Sequence, residues 1–222
     1  MRAMVLKQPQ PVETGPLREC GLPAPAPGPG ELLAQVAVCG VCHTDLHIVE
    51  GELAAPLPIV PGHQTIGRVA KLGPGAAGWQ VGDRVGIPWL HQACGRCEYC
   101  RRGRENLCEA ARFTGRHVHG GYAEYALAVA DYAVRIPDGY RDAEAAPLLC
   151  AGIVGYRAWR LAVSGAAETA GRGPEGRRRA GGTEVPLVRR LGLYGFGASA
   201  HVVIQVARHF QQEVFVATRS GA

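Results

Sequence analysis

Four cysteines fall within fifteen residues, in the spacing Cys94-x2-Cys97-x2-Cys100-x7-Cys108. Tetrahedral zinc takes four soft ligands at about 2.3 Å, and a C-x2-C turn presents two sulfurs to one ion. One loop can therefore close around a metal without help from distant parts of the chain. Gly95 and Gly103 supply turns, and Arg96, Arg101, Arg102 and Arg104 offset thiolate charge. The alternatives are disulfides or buried free thiols. In a reducing compartment such a cluster points to metal, and with no open coordination position the site is structural.

The 222 residues suffice for one large or two small domains. Hydrophobic residues make up 47% and charged residues 19%, a globular balance. The 31 Gly and 16 Pro suggest short strands and many tight turns. The net charge of +5 is concentrated, since residues 171–190 carry six Arg against two Glu. The remainder is close to neutral, so no nucleic-acid partner is expected. No apolar run of ~18 residues is present, and no membrane partner is expected. Residues 1–9 lack the apolar core of a signal peptide, which predicts a cytoplasmic protein.

Short β-like segments fill residues 1–135: the N-terminus, Leu32–Val38, Thr65–Leu72 and Arg84–Ile87, separated by Gly and Pro. This predicts a β-barrel-like domain. A helix is expected from Asp142 through Ala162. Residues 164–190, rich in Gly and Arg, predict a disordered loop. A buried strand, Leu191–Tyr194, then leads through Gly195-Phe-Gly197-Ala-Ser-Ala200 into a helix, His201–Phe210, and a second strand, Glu213–Ala217. That is one βαβ unit. The expected organisation is a β-rich zinc-containing domain over 1–162, an Arg/Gly-rich loop over 163–190, and the beginning of a Rossmann domain over 191–222, an α/β (α+β overall) chain.

Cys39-Gly-Val-Cys42-His43 matches the C-x-x-C-H pattern of c-type haem attachment. Without an export signal, and with Met1 and Met4 as the methionines, haem is a poor reading. A thioredoxin-like dithiol lacks a βαβ unit nearby. Cys39 reads as a small buried residue. Cys42, His63 and Cys150 taken singly would each be buried more often than ligating. Together, two Cys and one His make a three-ligand zinc site with one open corner.

The succession C-G-V-C-H-T-D-L, P-G-H, V-G-D-R-V, C-G-x-C-x-x-C, G-G-Y-A-E-Y and L-L-C-A-G resembles the zinc-dependent medium-chain alcohol dehydrogenases over residues 1–162 and 190–219. The resemblance implies a GroES-like barrel as the catalytic domain, followed by an incomplete Rossmann unit. It implies two zinc ions per chain: a catalytic one on Cys42, His63 and Cys150, and a structural one on Cys94, Cys97, Cys100 and Cys108. It further implies that Asp45 orients His63, that Thr44 and His47 form a proton relay, and that His43 touches the cofactor pyrophosphate. Leu53 and Trp89 fall where the family lines its substrate pocket. The implied reaction is hydride transfer between a primary or secondary alcohol and NAD(P), giving an aldehyde or ketone. A homo-oligomer is implied when the full cofactor domain is present.

Three departures stand out. Gln64 occupies a position where the family commonly has Glu, and its neutral amide predicts slower ligand exchange at the metal. The G-x-G-x-x-A turn of Gly195, Gly197 and Ala200 is expected to hold a pyrophosphate at a helix N-terminus. The acidic residue expected ~20 positions on is absent. Thr218 and Arg219 stand there instead, which favours NADP over NAD. Finally, the chain supplies two Rossmann strands where about six are usual. The alternative reading is therefore a truncated, non-catalytic zinc-binding fragment.

Overall fold

The computed structural model describes residues 1–169, 178–180, 183–185 and 188–219; for residues 164–187 the description is of backbone only. Two compact units are present, Met1–Cys150 and Ala151–Ala222. The division falls twelve residues before the expected end of the first domain at 162.

In the first unit, β1 (Arg2–Leu6) pairs antiparallel with β2 (Leu17–Gly21). Strands β3 (Glu31–Cys39), β4 (Thr65–Leu72), β5 (Arg84–Ile87), β8 (Tyr125–Val129) and β9 (Val134–Arg135) form a five-stranded sheet in the order β8-β3-β4-β5-β9. Its pairings are all antiparallel, and β6 (Leu90–Gln92) with β7 (Arg112–Phe113) makes a separate ribbon. The strands expected at Thr65–Leu72 and Arg84–Ile87 form with those bounds. Alternation directs Leu32, Ala34, Val69, Val85, Ile87, Ala126 and Ala128 into one core. Each fully buried aliphatic side chain of Val or Leu size contributes roughly 1.5–3 kcal/mol.

Helix α1 (His43–Glu50) was not legible as a helix in the sequence. Its inner residues Ile48 and Val49 pack with Leu6 and Ile59 in a second core, which docks the helix on β1. A four-residue helix, α2 (Glu98–Arg101), lies in the four-cysteine loop.

The helix expected from Asp142 through Ala162 is broken. Helix α3 (Asp142–Ala145) tightens into a 3-10 turn, Ala146–Leu149, and Cys150 leaves helical space at φ −132° and ψ −79°. Pro147 is the physical reason: it has no N–H to continue the ladder. Ala145, Ala146 and Leu149 pack on Ile66 of β4. The break thus leaves Cys150 at the end of a segment anchored to the sheet.

In the second unit, α4 (Ala151–Thr169) is followed by β10 (Arg178–Ala180) and β11 (Thr183–Val185), which pair antiparallel. Part of the expected disordered loop over 163–190 lies outside the described residues. Within it, the α4 backbone continues to Thr169, through Ala166, Ala167 and Glu168, which have high helix propensity. Strands β12 (Arg190–Tyr194) and β13 (Glu213–Ala217) are parallel, joined through α5 (Ala198–His209), as the sequence predicts for a βαβ unit. Trp159, Leu191, Val203 and Ala207 form this unit's core, with Phe210 stacked on Trp159 at 4.8 Å. The Trp159 indole N–H donates to Gln212 Oε1 at 2.7 Å, so its one polar atom is satisfied inside the core. Among the described residues, no helix is long and apolar enough to cross a membrane.

Candidate metal centres

All four sulfurs of Cys94, Cys97, Cys100 and Cys108 lie within 4.8 Å of one another. Cys94 and Cys100 Sγ are 3.9 Å apart, and Cys97 and Cys100 Sγ 3.4 Å. Sulfurs at the corners of a zinc tetrahedron stand about 3.8 Å apart, whereas a disulfide needs about 2.05 Å. The eight cysteines are free. Backbone N–H groups point at the sulfurs: Cys94 to Cys108 at 3.4 Å, Cys97 to Cys94 at 3.3 Å and Cys100 to Cys97 at 3.4 Å. Such donors favour thiolate, and the N–H groups of Arg96 and Cys97 draw the Cys94 thiol down to about 6. The lobe's small apolar cluster is built largely from these cysteines, with Ala93, Ala111 and Tyr132.

The second group is assembled from three distant places. Cys42 is the N-cap of α1 in extended conformation, His63 precedes β4, and Cys150 ends the 3-10 turn. Their ligand atoms also lie within 4.8 Å of one another, with Cys42 and Cys150 Sγ 3.9 Å apart. His63 is 1% exposed, and its Nε2 is buried without a partner. Its Nδ1 lies 3.0 Å from Asp45 Oδ1. A proton on Nδ1 satisfies that carboxylate and leaves Nε2 a bare lone pair facing two sulfurs. An orphaned buried nitrogen is costly unless something coordinates it, so these residues fit a metal ion. Burial, then the charges of Cys42 and Asp45, push the Cys150 thiol up to about 12, which a cation at this point would reverse.

Asp45, 3% exposed, sits at the third position of α1 and is saturated with donors. Oδ2 accepts from the Cys42 N–H at 2.9 Å and the Tyr122 hydroxyl at 3.0 Å; Oδ1 accepts from the Gly62 N–H at 3.2 Å and pairs with His63. Gly62 has φ +96°, and a Cβ there would come within 2.7 Å of the Tyr122 ring, so glycine lets the chain turn His63 inward. Sequence reasoning missed Tyr122, although its G-G-Y-A-E-Y motif was visible. Burial and the Asp45 charge raise its phenol, which keeps it a donor.

Thr44 Oγ1 lies 3.7 Å from Cys42 Sγ, beside the three-ligand group. His47 is one turn further along α1, exposed, with Nδ1 2.5 Å from Glu52 Oε2 and its ring 6.2 Å from that of His43. Leu53 and Trp89 pack against the same core cluster, and Trp89 sets an edge on His63 at 5.0 Å. Gln64 is buried directly after His63, and its side chain packs against Gly40, where a Cβ would come within 2.6 Å of its Oε1. Cys39, expected to be a small buried residue, is half-buried, accepts a hydrogen bond from the Thr65 hydroxyl at 3.4 Å and lies outside both ligand groups.

In the second unit, Gly195 follows β12 with φ +87°, its N–H donating to Ala217 O at 2.7 Å. Gly197 caps α5 without a side-chain acceptor, and Ala200 lies in the helix's first turn. Thr218 and Arg219, both exposed, follow β13 at the same end of the parallel pair. This is the edge where open α/β sheets bind ligands.

Comparison with known proteins agrees with this architecture. Residues 28–138 match the alcohol dehydrogenase GroES-like domain. The chain is 45% identical over 227 residues to the Mycobacterium tuberculosis (strain CDC 1551 / Oshkosh) protein named "Probable alcohol dehydrogenase AdhA", covering 100% of this chain and 60% of that one. It is 44% identical over 181 residues to an alcohol dehydrogenase of Geobacillus stearothermophilus, covering 81% of this chain and 48% of the relative. A cobalt- and zinc-bound thermostable alcohol dehydrogenase from Pyrobaculum aerophilum superposes with a TM-score of 0.80 at 28% identity, over 99% of this chain and 60% of that one. The chain thus spans about half to three fifths of the length of the curated relatives it matches. It belongs to the medium-chain zinc alcohol dehydrogenase family, as a GroES-like domain followed by a partial βαβ unit.

Proposed function

We propose that this protein is a zinc-dependent oxidoreductase that interconverts a primary or secondary alcohol and the corresponding aldehyde or ketone with NAD(P). The observation that carries the reading is the unpartnered Nε2 of His63, buried beside Cys42 and Cys150 while Asp45 holds the opposite ring nitrogen. We assign the catalytic zinc to Cys42, His63 and Cys150, and the structural zinc to Cys94, Cys97, Cys100 and Cys108. When bound, zinc supplies a Lewis acid to the substrate oxygen, and the nicotinamide exchanges hydride with the carbon.

The chain's own residues do the rest. Asp45 fixes the His63 tautomer and ring plane. The Thr44 hydroxyl, next to Cys42, accepts the proton leaving the alcohol, and His47 on the exposed side of α1 passes it to water. Leu53 and Trp89 supply an apolar wall that keeps water from the reacting atoms and favours an apolar substrate. Gly195, Gly197 and Ala200 leave backbone N–H groups open to a pyrophosphate, and Thr218 and Arg219 offer hydroxyl and guanidinium to a ribose 2′-phosphate, favouring NADP. The family resemblance assigns His43, exposed in the first turn of α1, a cofactor-binding role. Eight free thiols suit a reducing, cytoplasmic setting.

A second reading follows from the two-stranded parallel sheet, whose Phe215 and Val216 are 53% and 39% exposed. In that reading the 222-residue chain holds both metals and does not turn over. Zinc content and NADPH binding on one sample separate the two. Two zincs with cofactor binding and alcohol-dependent NADP reduction support the enzyme. Two zincs with neither support the metal-holding fragment, and a three-ligand site that takes no zinc defeats both.

A further inference from the structure

A half-open cavity of about 640 Å3 in the first unit lies apart from the three-ligand centre, since Cys42, Thr44, His63, Trp89 and Cys150 are not on its lining. Most of its wall is apolar, with Leu22, Leu57, Ile59 and Val118 among the lining residues. Against this wall stand His91, Arg112, His117 and His119. Ligand pockets of roughly 300–1,000 Å3 with apolar walls and few placed polar groups are the usual form of a small-molecule site.

The hydrogen bonds decide what the imidazoles offer. His117 Nδ1 accepts from the Phe113 N–H at 3.1 Å, and His119 Nδ1 accepts from the Val60 N–H at 3.2 Å. A ring nitrogen that accepts carries no proton, so in each neutral ring Nε2 bears the hydrogen and is a donor. Partial desolvation lowers the proton affinity of both rings, and at His117 the Arg116 and Arg112 charges act in the same direction. His91, 5% exposed on β6, has an Nδ1 that is shielded from solvent and unpartnered. On β7, Arg112 stands opposite Gln92, next to His91 in the ribbon. Its Nη2 reaches the His117 carbonyl at 3.4 Å, and among the described residues its guanidinium joins no ion pair. The carboxylate on the lining, Glu31, is engaged by the Gly28 N–H at 2.9 Å.

We propose that this cavity is a second ligand site, which takes a small apolar carboxylate: its headgroup on Arg112 with the His117 and His119 donors, its hydrocarbon against Leu22, Leu57, Ile59 and Val118. One guanidinium matches a carboxylate in a bidentate fork, and neutral imidazoles add donors without a second full charge. The apolar wall rejects a fully hydrated ion such as phosphate.

The test is a titration of the zinc-loaded full chain with hexanoate, followed by calorimetry and by the histidine ring resonances in NMR. Hexanol and inorganic phosphate serve as the apolar-only and anion-only probes. The expected result is saturable hexanoate binding that shifts the His117 and His119 resonances, with hexanol and phosphate each binding at least about tenfold more weakly. Arg112→Gln, at an exposed position, is expected to weaken hexanoate about tenfold, and Arg112→Lys less, because a point charge replaces the fork. Movement of the His63 resonance alone would place the carboxylate at the metal centre and overturn the proposal. Equal binding by Arg112→Gln, or hexanol binding as tightly as hexanoate, would overturn it too.

Discussion

The Tyr122 hydroxyl donates to Asp45 Oδ2 at 3.0 Å, tying the chain just before β8 to the N-terminus of α1 across 77 residues. Asp45 in turn holds His63, so a phenol outside the candidate ligand set helps orient a candidate ligand. Asp45→Asn is expected to weaken metal at the three-ligand site about 10- to 100-fold while the four-cysteine site keeps its ion. Tyr122→Phe should act in the same direction but more weakly, because three other partners remain on Asp45. Chelator competition on the cobalt-substituted protein reads both. Equal loss from the two sites would mean general destabilisation and sink the argument.

Metal removal should act unequally on the fold. The Cys94–Cys108 lobe has one four-residue helix and one 3-10 turn, and its core is mostly the ligands themselves. A chelator is expected to loosen that lobe and make the chain cleavable by trypsin at the already exposed Arg101, Arg102 and Arg104, while the five-stranded sheet keeps its own aliphatic core. Tryptic mapping with and without chelator checks this. Cleavage spread over the sheet strands would contradict it.

The pH dependence has a definite sign. In the metal-free protein the Cys150 thiol is pushed up to about 12, first by burial, so it is protonated at neutral pH. Binding a cation must release that proton, and apparent affinity at the three-ligand site rises with pH by up to about tenfold per unit for each proton released. Metal-linked stability is therefore present at higher pH and lost as pH falls. Zinc titrations at two pH values, in buffers of different ionisation enthalpy, count the protons; a count of zero for this site would refute the assignment of Cys150.

Gln64 buries a neutral amide directly after His63 in the chain. Gln64→Glu puts a carboxylate there instead, and ligand exchange at the metal should quicken. We expect faster turnover and faster exchange with labelled zinc than in the parent. Equal rates in both assays would defeat the idea.

Arg219→Ala is expected to cost NADP more than NAD, by about tenfold or more, if Arg219 makes the proposed charge-assisted bond to the 2′-phosphate. The ratio of the two dissociation constants is the measurement. An unchanged ratio would make Arg219 a solvated residue beyond the end of β13.

The four-cysteine centre was legible because its ligands sit on one short loop, where spacing alone limits which sulfurs can meet. The strands at Thr65–Leu72 and Arg84–Ile87 and the parallel βαβ unit were legible for a similar reason, since local periodicity and glycine placement specify them. Cys42, His63 and Cys150 are 21 and 87 residues apart, and no local rule brings them together. Their convergence depends on α1 docking through Ile48 and Val49, on Gly62 turning His63 inward, and on the helix breaking after Pro147. Tyr122 behind Asp45 and the Val60 N–H on His119 likewise depend on segments meeting from far along the chain, whereas His117 accepts from Phe113 only four residues before it. Sequence alone determined several strands, the βαβ unit and the candidate four-cysteine loop, because short-range sterics and spacing decide those, but not α1 or the break before Cys150. The tertiary structure decided which distant polar atoms are buried together, because that follows from how the sheet and helices share their cores.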